Sequence, residues 1–358
     1  MYPALAVLEA LVKAEPPTET LWVGGYGGME AELVNQAGVS FTEIPAAGIH
    51  GVGLRSLPGN IRKVYQGIGA SRRILRDFQP DVLFFTGGYL AVPMALAGRR
   101  KPSVLFVPDI EPGLAIRTIA RFSQRIAVSA EDSRRYFREA ERVTLTGYPT
   151  RMTLESWSRE QALQHFNLSI NLPTVLIMGG SKGARSINRA LINVLPSLLH
   201  DMQIIHLTGQ LDWDEIQAVQ AGLSEDARAR YRSYPYLHQD IGAALMAANL
   251  VLSRAGASIL GEYPLFGLPA ILVPYPHAWR YQQVNAAYLA RFKAAQIIQD
   301  DELPTRIEPA IRELVGDPLR LQAMSKAMVS LQTPSAAEKI ADLLRAMGGP
   351  GYREAKSG

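Results

Sequence analysis

Short apolar runs alternate with amphipathic segments along the first third of the chain. The runs lie at residues 21–25, 41–45, 81–85 and 103–107, and the segments with apolar residues at helical spacing lie at 4–13, 29–37, 57–78 and from 93 onward. This alternation predicts a parallel sheet covered by helices, because parallel strands are joined by helical crossovers and hide both faces. The first part of the chain is therefore predicted to be a doubly wound α/β domain.

The same alternation begins again at Thr174 and continues through the second half of the chain. We predict its strands at residues 175–178, 203–207, part of 229–236, 250–253 and 270–273. A chain of 358 residues is long enough for two such domains. We expect a first domain at 1–150, a second at 151–335, and a segment at 336–358 whose helix returns to the first domain before a loose tail. Ligands of such folds bind beyond the carboxyl ends of the strands, here in the cleft between the domains.

A glycine-rich stretch at residues 179–185, Gly-Gly-Ser-Lys-Gly-Ala-Arg, joins an apolar strand to an amphipathic helix. Glycines let backbone N–H groups approach an anion, and a helix start adds a partial positive charge. The stretch therefore predicts a phosphate-binding turn at Gly180, Ser181 and Gly183, with an ordinary strand-to-helix turn as the alternative. It matches neither the P-loop nor the G-x-G-x-x-G pattern, which disfavours nucleoside triphosphates and dinucleotides as ligands.

Two later strand-to-helix junctions carry polar candidates. After the strand at 250–253, Glu262 stands where a carboxylate could accept hydrogen bonds from ribose hydroxyls; the alternative is a glutamate that interacts with the helix dipole. After the strand at 270–273, amides such as Gln282 could bind sugar hydroxyls; the alternative is helix capping. Neither H-E-x-x-H nor a carboxylate cluster occurs, so we expect no metal and no cofactor. The absence of G-x-S-x-G disfavours a serine hydrolase.

Composition limits the class of protein. The chain is 47% hydrophobic and 20% charged, which is typical of a globular protein. It contains no cysteine, which excludes disulfide scaffolds, thiolate metal sites and cysteine nucleophiles. The uncharged runs at 82–98 and 263–279 contain glycine or proline, and the first residues lack the basic region of a signal peptide. We expect no transmembrane segment and a cytoplasmic location.

Charge is unevenly distributed along the chain. Residues 1–54 carry a net charge of −5, whereas residues 55–125 hold twelve basic and four acidic side chains among apolar ones, for a net charge of +8. This basic segment could face nucleic acid, an anionic membrane or only solvent. Because no nucleic-acid-binding motif accompanies it, we expect no nucleic-acid partner.

The three junctions, in their order and spacing, resemble the MurG family over nearly the whole chain. Members of this family transfer N-acetylglucosamine from its UDP donor in peptidoglycan synthesis and have the two-domain GT-B architecture. The resemblance implies an inverting, metal-independent transfer to the muramyl sugar of lipid I. It implies UDP-N-acetylglucosamine, a lipid-linked acceptor and an anionic membrane surface as partners. It also implies a peripheral location at the cytoplasmic face of the cell membrane.

The resemblance assigns roles to individual residues. The second glycine-rich loop of the family, thought to help hold the acceptor diphosphate, matches Gly87, Gly88 and Tyr89, and the segment between the domains matches residues 147–151, which gives Arg151 a donor-binding role. Ser181 matches the serine that contacts the diphosphate, Gln282 matches a glutamine that binds the sugar, and His238 or Leu237 matches a backbone contact to uracil. The nucleotide-binding run matches Ala257, Ser258, Ile259, Leu260, Gly261 and Glu262.

Two departures from the family pattern change what is expected of catalysis. In the family, a strand and a Gly-Gly-Thr-Gly-Gly-His loop with the proposed base precede the first helix, whereas this sequence starts at the residue after that histidine. We expect that Met1 is not the natural start, with a truncated paralogue as the alternative. At residues 106–114, Asp109 replaces an asparagine, and a carboxylate cannot donate as an amide does. Because the family's base is missing, Asp109 is the candidate base, as the only acidic candidate that the resemblance places near both substrates.

Alternatives remain at the level of function and of single residues. The chain could be a related transferase with another lipid or glycan acceptor, or an inactive UDP-sugar-binding paralogue. His50 could lie near the acceptor or on a solvated loop, and His206 could line the cleft or lie in the core. The acidic stretch at 300–302 is interpreted as solvated loop charge.

Overall fold

The computed structural model describes residues 1–13, 18–27, 31, 34–35, 37–45, 57–180, 183–277 and 280–349. These residues divide into two compact units. Met1–Arg151 and residues 333–349 form the first unit, and Met152–Gln332 form the second. Both consist of parallel strands and covering helices, which confirms the predicted fold class. His50, Ser181 and most of the helix predicted at 29–37 lie outside the described residues.

Two parallel sheets are present in the described part of the first unit. In the smaller sheet, β1 (Leu21–Gly25) pairs with β2 (Ser40–Ile44). The larger sheet has the strand order β3-β4-β5-β6. Its central strand β4 is buried at every residue, as expected of a parallel strand that is covered on both faces. The strands of the larger sheet are β3 (Leu83–Phe85), β4 (Ser103–Val107), β5 (Arg125–Val128) and β6 (Val143–Leu145).

The helices of the first unit follow the predicted pattern closely. α1 begins one residue after Met1 and carries Pro3 in its first turn, where a missing N–H is harmless. The described helices are α1 (Tyr2–Val12), α2 (Leu57–Phe78), α3 (Ala91–Ala97) and α4 (Leu114–Ala120), with short 3₁₀ turns at Glu131–Tyr136 and Ala140–Arg142.

A six-stranded parallel sheet forms the second unit, in the order β12-β11-β10-β7-β8-β9. Helices α6 and α12 pack side by side against this sheet through leucine and isoleucine side chains such as Leu191, Leu195 and Ile311. The strands are β7 (Thr174–Met178), β8 (Gln203–Leu207), β9 (Tyr231–Tyr234), β10 (Leu250–Ser253), β11 (Ala270–Leu272) and β12 (Ala295–Ile297). The helices are α5 (Arg159–His165), α6 (Arg185–Leu198), α7 (Trp213–Ala221), α8 (Glu225–Ala229), α9 (Ile241–Ala247), α10 (Glu262–Phe266), α11 (Tyr281–Arg291), α12 (Leu303–Val315) and α13 (Pro318–Val329).

The last helix, α14 (Ala336–Gly348), belongs to the first unit although it follows the second in sequence. Its buried Ile340 and Leu344 join a core cluster with Val104 and Phe106 of β4. The Arg345 guanidinium donates to the carbonyl of Ala10 at the end of α1, at 2.9 Å. No described helix is both long and apolar enough to cross a membrane.

A cavity of about 960 Å³ lies within the first unit. It is lined by Trp22 of β1, Leu83 and Phe85 of β3, and Ala4 and Leu8 of α1. The neighbouring residue Ala6 lies on another face of α1 and packs into the cluster beside β4. The two alanines of one helix thus face very different packing environments.

We expect Ala4→Leu to leave the free energy of unfolding unchanged or to raise it by up to about 2 kcal/mol, since each methylene buried in open apolar space contributes about 0.8 kcal/mol. Ala6→Leu is the matched control on the same helix and should lower it by about 1–3 kcal/mol, because it overpacks a filled core. Urea denaturation of both variants measures the difference. Equal destabilisation by the two substitutions would contradict the assignment of the cavity to the face of Ala4.

Candidate functional site

The strand order of the second unit reverses between β7 and β10. From β7 the chain proceeds to β8 and β9 on one side, and it then adds β10, β11 and β12 on the other. In open parallel sheets, ligands bind beyond the carboxyl ends of the strands at such a reversal, because the two neighbouring loops diverge there and leave a crevice. Gly180 follows β7 and Gly256 follows β10, so two of the predicted junctions flank this crevice.

The turn after β7 requires glycine at two positions. Gly180 and Gly183 have φ values of +85° and +80°, which L side chains rarely adopt. The Gly183 N–H donates to the Gly180 carbonyl at 2.9 Å, which closes the turn. A Cβ atom at Gly183 would lie 2.3 Å from the carbonyl oxygen of Thr208, whereas a Cβ atom at Gly180 would meet open space. The turn is thus packed against β8 on one side and open on the other.

Helix α6 starts directly after this turn. Its N-cap residue is Ala184, whose methyl group cannot accept a hydrogen bond from the first-turn N–H groups. A helix of 14 residues also carries its partial positive charge at this end. An anion placed here would receive backbone N–H groups and a favourable dipole together, which is the arrangement that phosphate groups use.

Arg254 ties three loops together next to the turn. Its side chain, only 10% exposed, forms an ion pair with Asp300 and donates to the hydroxyl of Ser186 at 2.7 Å and to the carbonyl of Val273 at 3.2 Å. These contacts link the end of β10 to the first turn of α6 and to the end of β11. The interpretation of Asp300 as a solvated charge is wrong, since its carboxylate accepts from both Arg254 and Ser186. No local pattern connects residues so far apart in sequence.

The segment after β10 presents mostly its backbone. Gly256 precedes a 3₁₀ turn at Ala257–Leu260, and Gly261 precedes α10. Ile259 and Leu260 are buried in the core, so a ligand in the crevice could meet only their backbone atoms. Glu262 is the first residue of α10 and is half-buried, while Ala257 and Ser258 are partly exposed.

Two amides of α11 fasten the loops after β10 and β11 to each other. The side-chain oxygen of Gln282 accepts from the N–H groups of Tyr275, at 2.9 Å, and Ala255, at 3.3 Å. The side-chain nitrogen of the buried Asn285 donates to the carbonyl of Ala255 at 3.2 Å. Because the oxygen of Gln282 is engaged with the backbone, recognition of a sugar hydroxyl would fall to its amide nitrogen.

His238 lies at the same edge of the sheet but farther from the turn. It follows β9, which is separated from β7 by β8, or about 10 Å at the usual strand spacing. The imidazole is exposed and lies 4.6 Å from the ring of Tyr236, whereas Leu237 is buried. His206, by contrast, is fully buried in β8 between Tyr231 and Asn188. Burial lowers the pKa of His206 to about 3, so this residue is a neutral core histidine.

The first unit places its candidates on neighbouring strands. Gly87 and Gly88 follow β3 with φ values of +99° and +80°, and Asp109 follows β4, which pairs with β3 in parallel. A Cβ atom at Gly87 would lie 2.4 Å from the side chain of Ile116. Tyr89 is exposed and Asp109 is half-buried. The glycine pair and the carboxylate therefore share one edge of one sheet.

Two further charged residues of the first unit stand out. The guanidinium of Arg151 lies 4.1 Å from the centre of the Tyr2 ring, a cation–π contact at the end of the unit. Glu111, which sequence reasoning did not single out, is buried and lies 3.4 Å from the guanidinium of Arg117. Its burial two residues after Asp109 has no signal in the local sequence. Within the described part of the chain, no three histidine, aspartate or glutamate side chains form a group able to hold a metal ion.

Comparison with known proteins connects this geometry to a family. Residues 1–128 match the glycosyltransferase family 28 N-terminal domain, and residues 174–342 match the glycosyltransferase family 28 C-terminal domain. A relative from Roseiflexus sp. (strain RS-1) is 37% identical over 97% of this chain and 92% of its own length. A relative from Desulforudis audaxviator (strain MP104C) is 36% identical over 99% of this chain and 96% of its own length. The chain belongs to the MurG family.

Both of these relatives bear the name UDP-N-acetylglucosamine–N-acetylmuramyl-(pentapeptide) pyrophosphoryl-undecaprenol N-acetylglucosamine transferase. The crystal structure of Acinetobacter baumannii MurG matches with a TM-score of 0.73 and 24% identity, over 96% of this chain and 95% of that chain. UDP-GlcNAc 2-epimerase from Neisseria meningitidis bound to UDP-GlcNAc matches with a TM-score of 0.68 and 14% identity, over 96% of each chain. At such identities the structures show a shared fold, and they confirm the GT-B architecture expected of MurG.

Proposed function

We propose that this chain transfers N-acetylglucosamine from UDP-N-acetylglucosamine to the muramyl sugar of lipid I, which forms lipid II. The observation that carries this proposal is the identity of 36–37% along nearly the whole chain to two relatives named as that transferase. The glycine turn at the strand-order reversal of the second unit supports it, because the diphosphate of the donor needs such a site.

The donor is assigned to the second unit. The turn at Gly180 and Gly183, together with the first turn of α6, holds the diphosphate. Glu262 accepts hydrogen bonds from the ribose hydroxyls. Gln282 binds the sugar through its amide nitrogen, since its oxygen is engaged with the backbone. The family resemblance also assigns to the donor Arg151, which is the last residue of the first unit before Met152. In the second unit it adds Ser181, the backbone of Ala257, Ser258, Ile259, Leu260 and Gly261, and the backbone near His238.

The reaction requires that the negative charge on the leaving UDP be stabilised. The acceptor hydroxyl attacks the anomeric carbon, and the bond from that carbon to the diphosphate oxygen breaks, so negative charge develops on UDP. Backbone N–H groups and the dipole of α6 would stabilise that charge without reorganising during the reaction. This electrostatic contribution needs no metal ion.

The acceptor is assigned to the first unit. Gly87, Gly88 and Tyr89 would contact the acceptor diphosphate, and Asp109 would remove the proton from the attacking hydroxyl. The supporting observation is that the glycine pair and Asp109 follow adjacent parallel strands. A general base in this position contributes roughly 10²–10⁴-fold to the rate.

The surface that contacts the membrane is assigned to an exposed face of α2. Arg62, Arg72, Arg73 and Arg76 lie there at helical spacing, and Tyr65 is 73% exposed among them. Basic side chains near an anionic membrane surface contribute about 1 kcal/mol each, and an aromatic ring suits the interface. This face would bring the first unit to the lipid-linked acceptor at the cytoplasmic side of the membrane.

Glu262→Ala should weaken UDP binding by about 1.5–3 kcal/mol, or roughly 10–150-fold, because a charged hydrogen-bond acceptor is lost. Isothermal titration calorimetry on the full chain measures the affinity. The matched control is Glu225→Ala, which removes a glutamate from the first position of α8, a five-residue helix like α10. Equal UDP affinity in the wild type and Glu262→Ala would remove Glu262 from the site.

Asp109→Asn should lower kcat at least about 10²-fold with little change in UDP affinity, since an amide cannot accept the proton of the acceptor hydroxyl. The assay is transfer from UDP-N-acetylglucosamine to a lipid I analogue, with exposed Asp77→Asn as the control. Full turnover by Asp109→Asn would place the base elsewhere. A wild type that binds UDP without turnover on any lipid or glycan acceptor would instead indicate an inactive paralogue.

The double substitution Arg72→Glu with Arg73→Glu should reduce binding to anionic liposomes at least tenfold at low ionic strength and leave neutral liposomes unaffected. The control is Arg138→Glu with Lys326→Glu, which makes the same charge change at exposed positions outside α2. Sedimentation with the two liposome types measures binding. If the two double variants bind anionic liposomes alike, the face of α2 is not the membrane contact.

A further inference from the structure

A line of buried polar side chains crosses the second unit toward the glycine turn. His206 in β8 contacts the hydroxyl of Tyr231 through Nδ1, at 2.7 Å, and the Oδ1 atom of Asn188 through Nε2, at 3.0 Å. Asn188 lies in the first turns of α6, and its Nδ2 atom donates to the Thr208 carbonyl and to Asp212 Oδ2, both at 2.8 Å. The sequence motifs assign no functional role to these contacts.

The hydrogen bonds of this line run in one direction. Because Asn188 Nδ2 donates twice, its Oδ1 atom must accept, and the single proton of the neutral His206 ring therefore sits on Nε2. Nδ1 is then the acceptor for the Tyr231 hydroxyl. If the donor and acceptor of any one of these hydrogen bonds were exchanged, two donors or two acceptors would meet at the next contact. The four side chains thus specify one arrangement.

The line ends at the Gly183 side of the glycine turn. Asp212 accepts from Nε of Arg185, the first residue of α6, at 2.9 Å. The Thr208 carbonyl also accepts a hydrogen bond from Asn188 Nδ2. Gly183 packs so closely against this carbonyl that no Cβ atom would fit there. Asn188 therefore connects the helix start to the wall of the turn.

We propose that Tyr231, His206, Asn188 and Asp212 are positioning residues that hold Gly183 and the first turn of α6 in the geometry that binds the donor diphosphate. This inference rests on the proposed function. Backbone N–H groups stabilise an anion well only when they are held within about 0.5 Å of the productive geometry by supporting hydrogen bonds. Loss of the line therefore weakens donor binding and also lowers kcat, because the same N–H groups stabilise the charge that develops on UDP.

Gln203, a buried amide on the same strand as His206, provides a matched control. Gln203 begins β8, at the amino edge of the sheet, away from the turn. Its side-chain nitrogen donates to the Thr174 hydroxyl at 3.0 Å, and its side-chain oxygen accepts from the N–H of Ser169 at 3.0 Å. Gln203→Leu should therefore cost stability as Asn188→Leu does, with no path to the turn.

The test measures UDP affinity by calorimetry, KM and kcat in the transfer assay, and Tm. Asn188→Leu and His206→Leu should raise the Kd for UDP and the KM for the donor about tenfold or more, and they should lower kcat, because misplaced N–H groups also stabilise the leaving UDP less well. His206→Gln should restore the Kd to within about threefold of the wild type, because its side-chain nitrogen can replace Nε2–H. Tyr231→Phe, which keeps the ring, should give a smaller increase. Gln203→Leu should change the Kd less than twofold at a similar loss of Tm.

Similar UDP affinities for Asn188→Leu and Gln203→Leu at matched Tm would overturn the inference and leave the line a purely structural feature. The same holds if His206→Gln fails to rescue while it folds with wild-type Tm. A wild type that does not bind UDP would overturn the proposed function and this inference together. If the wild type binds UDP and all variants of the line bind it with the same affinity, only the inference is overturned.

Discussion

The parallel pairing of β7 with β10 is the constraint on which the second unit depends. Leu250 lies opposite Val175, and Ser253 lies opposite Met178, so the two strands end at the same level although residues 179–249 lie between them in the chain. Because the chain leaves these strands in opposite directions, their loops diverge. The glycine turn, the segment before Glu262 and the start of α6 all owe their proximity to this one pairing.

Polar side chains then determine the form of the crevice. Arg254, Gln282 and Asn188 each connect loops that follow different strands, and each is at least partly buried. A buried polar group without a partner costs about 1–3 kcal/mol, so these contacts disfavour other loop arrangements more than they add net stability. Such contacts favour one arrangement of the loops around the crevice, whether or not the same side chain also reaches a ligand.

Much of the architecture could be predicted from local pattern. The apolar run at 203–207 coincides with β8, and the run at 175–178 lacks only Thr174 of β7. The strand expected within 229–236 is shorter, because β9 begins at Tyr231 after helix α8. Glycine at 180 and 183 was predictable as a turn, but the reason for Gly183, the Thr208 carbonyl beside it, lies on another strand. The ion pair of Arg254 with Asp300 had no local signal. For His206 the sequence left the cleft and the core as alternatives, and the structure places it in the core.

The sequence by itself determined which segments become strands and helices, and where glycine turns and polar residues follow strand ends, because hydrophobic periodicity and backbone preference act over a few residues. Its resemblance to MurG extended that to a family and a set of candidate residues. Tertiary structure alone decided the strand order, the neighbours of each candidate, and which charges are buried. Those properties depend on contacts such as Arg254 with Ser186 and His206 with Asn188, whose partners are distant in sequence and meet only when the sheet forms.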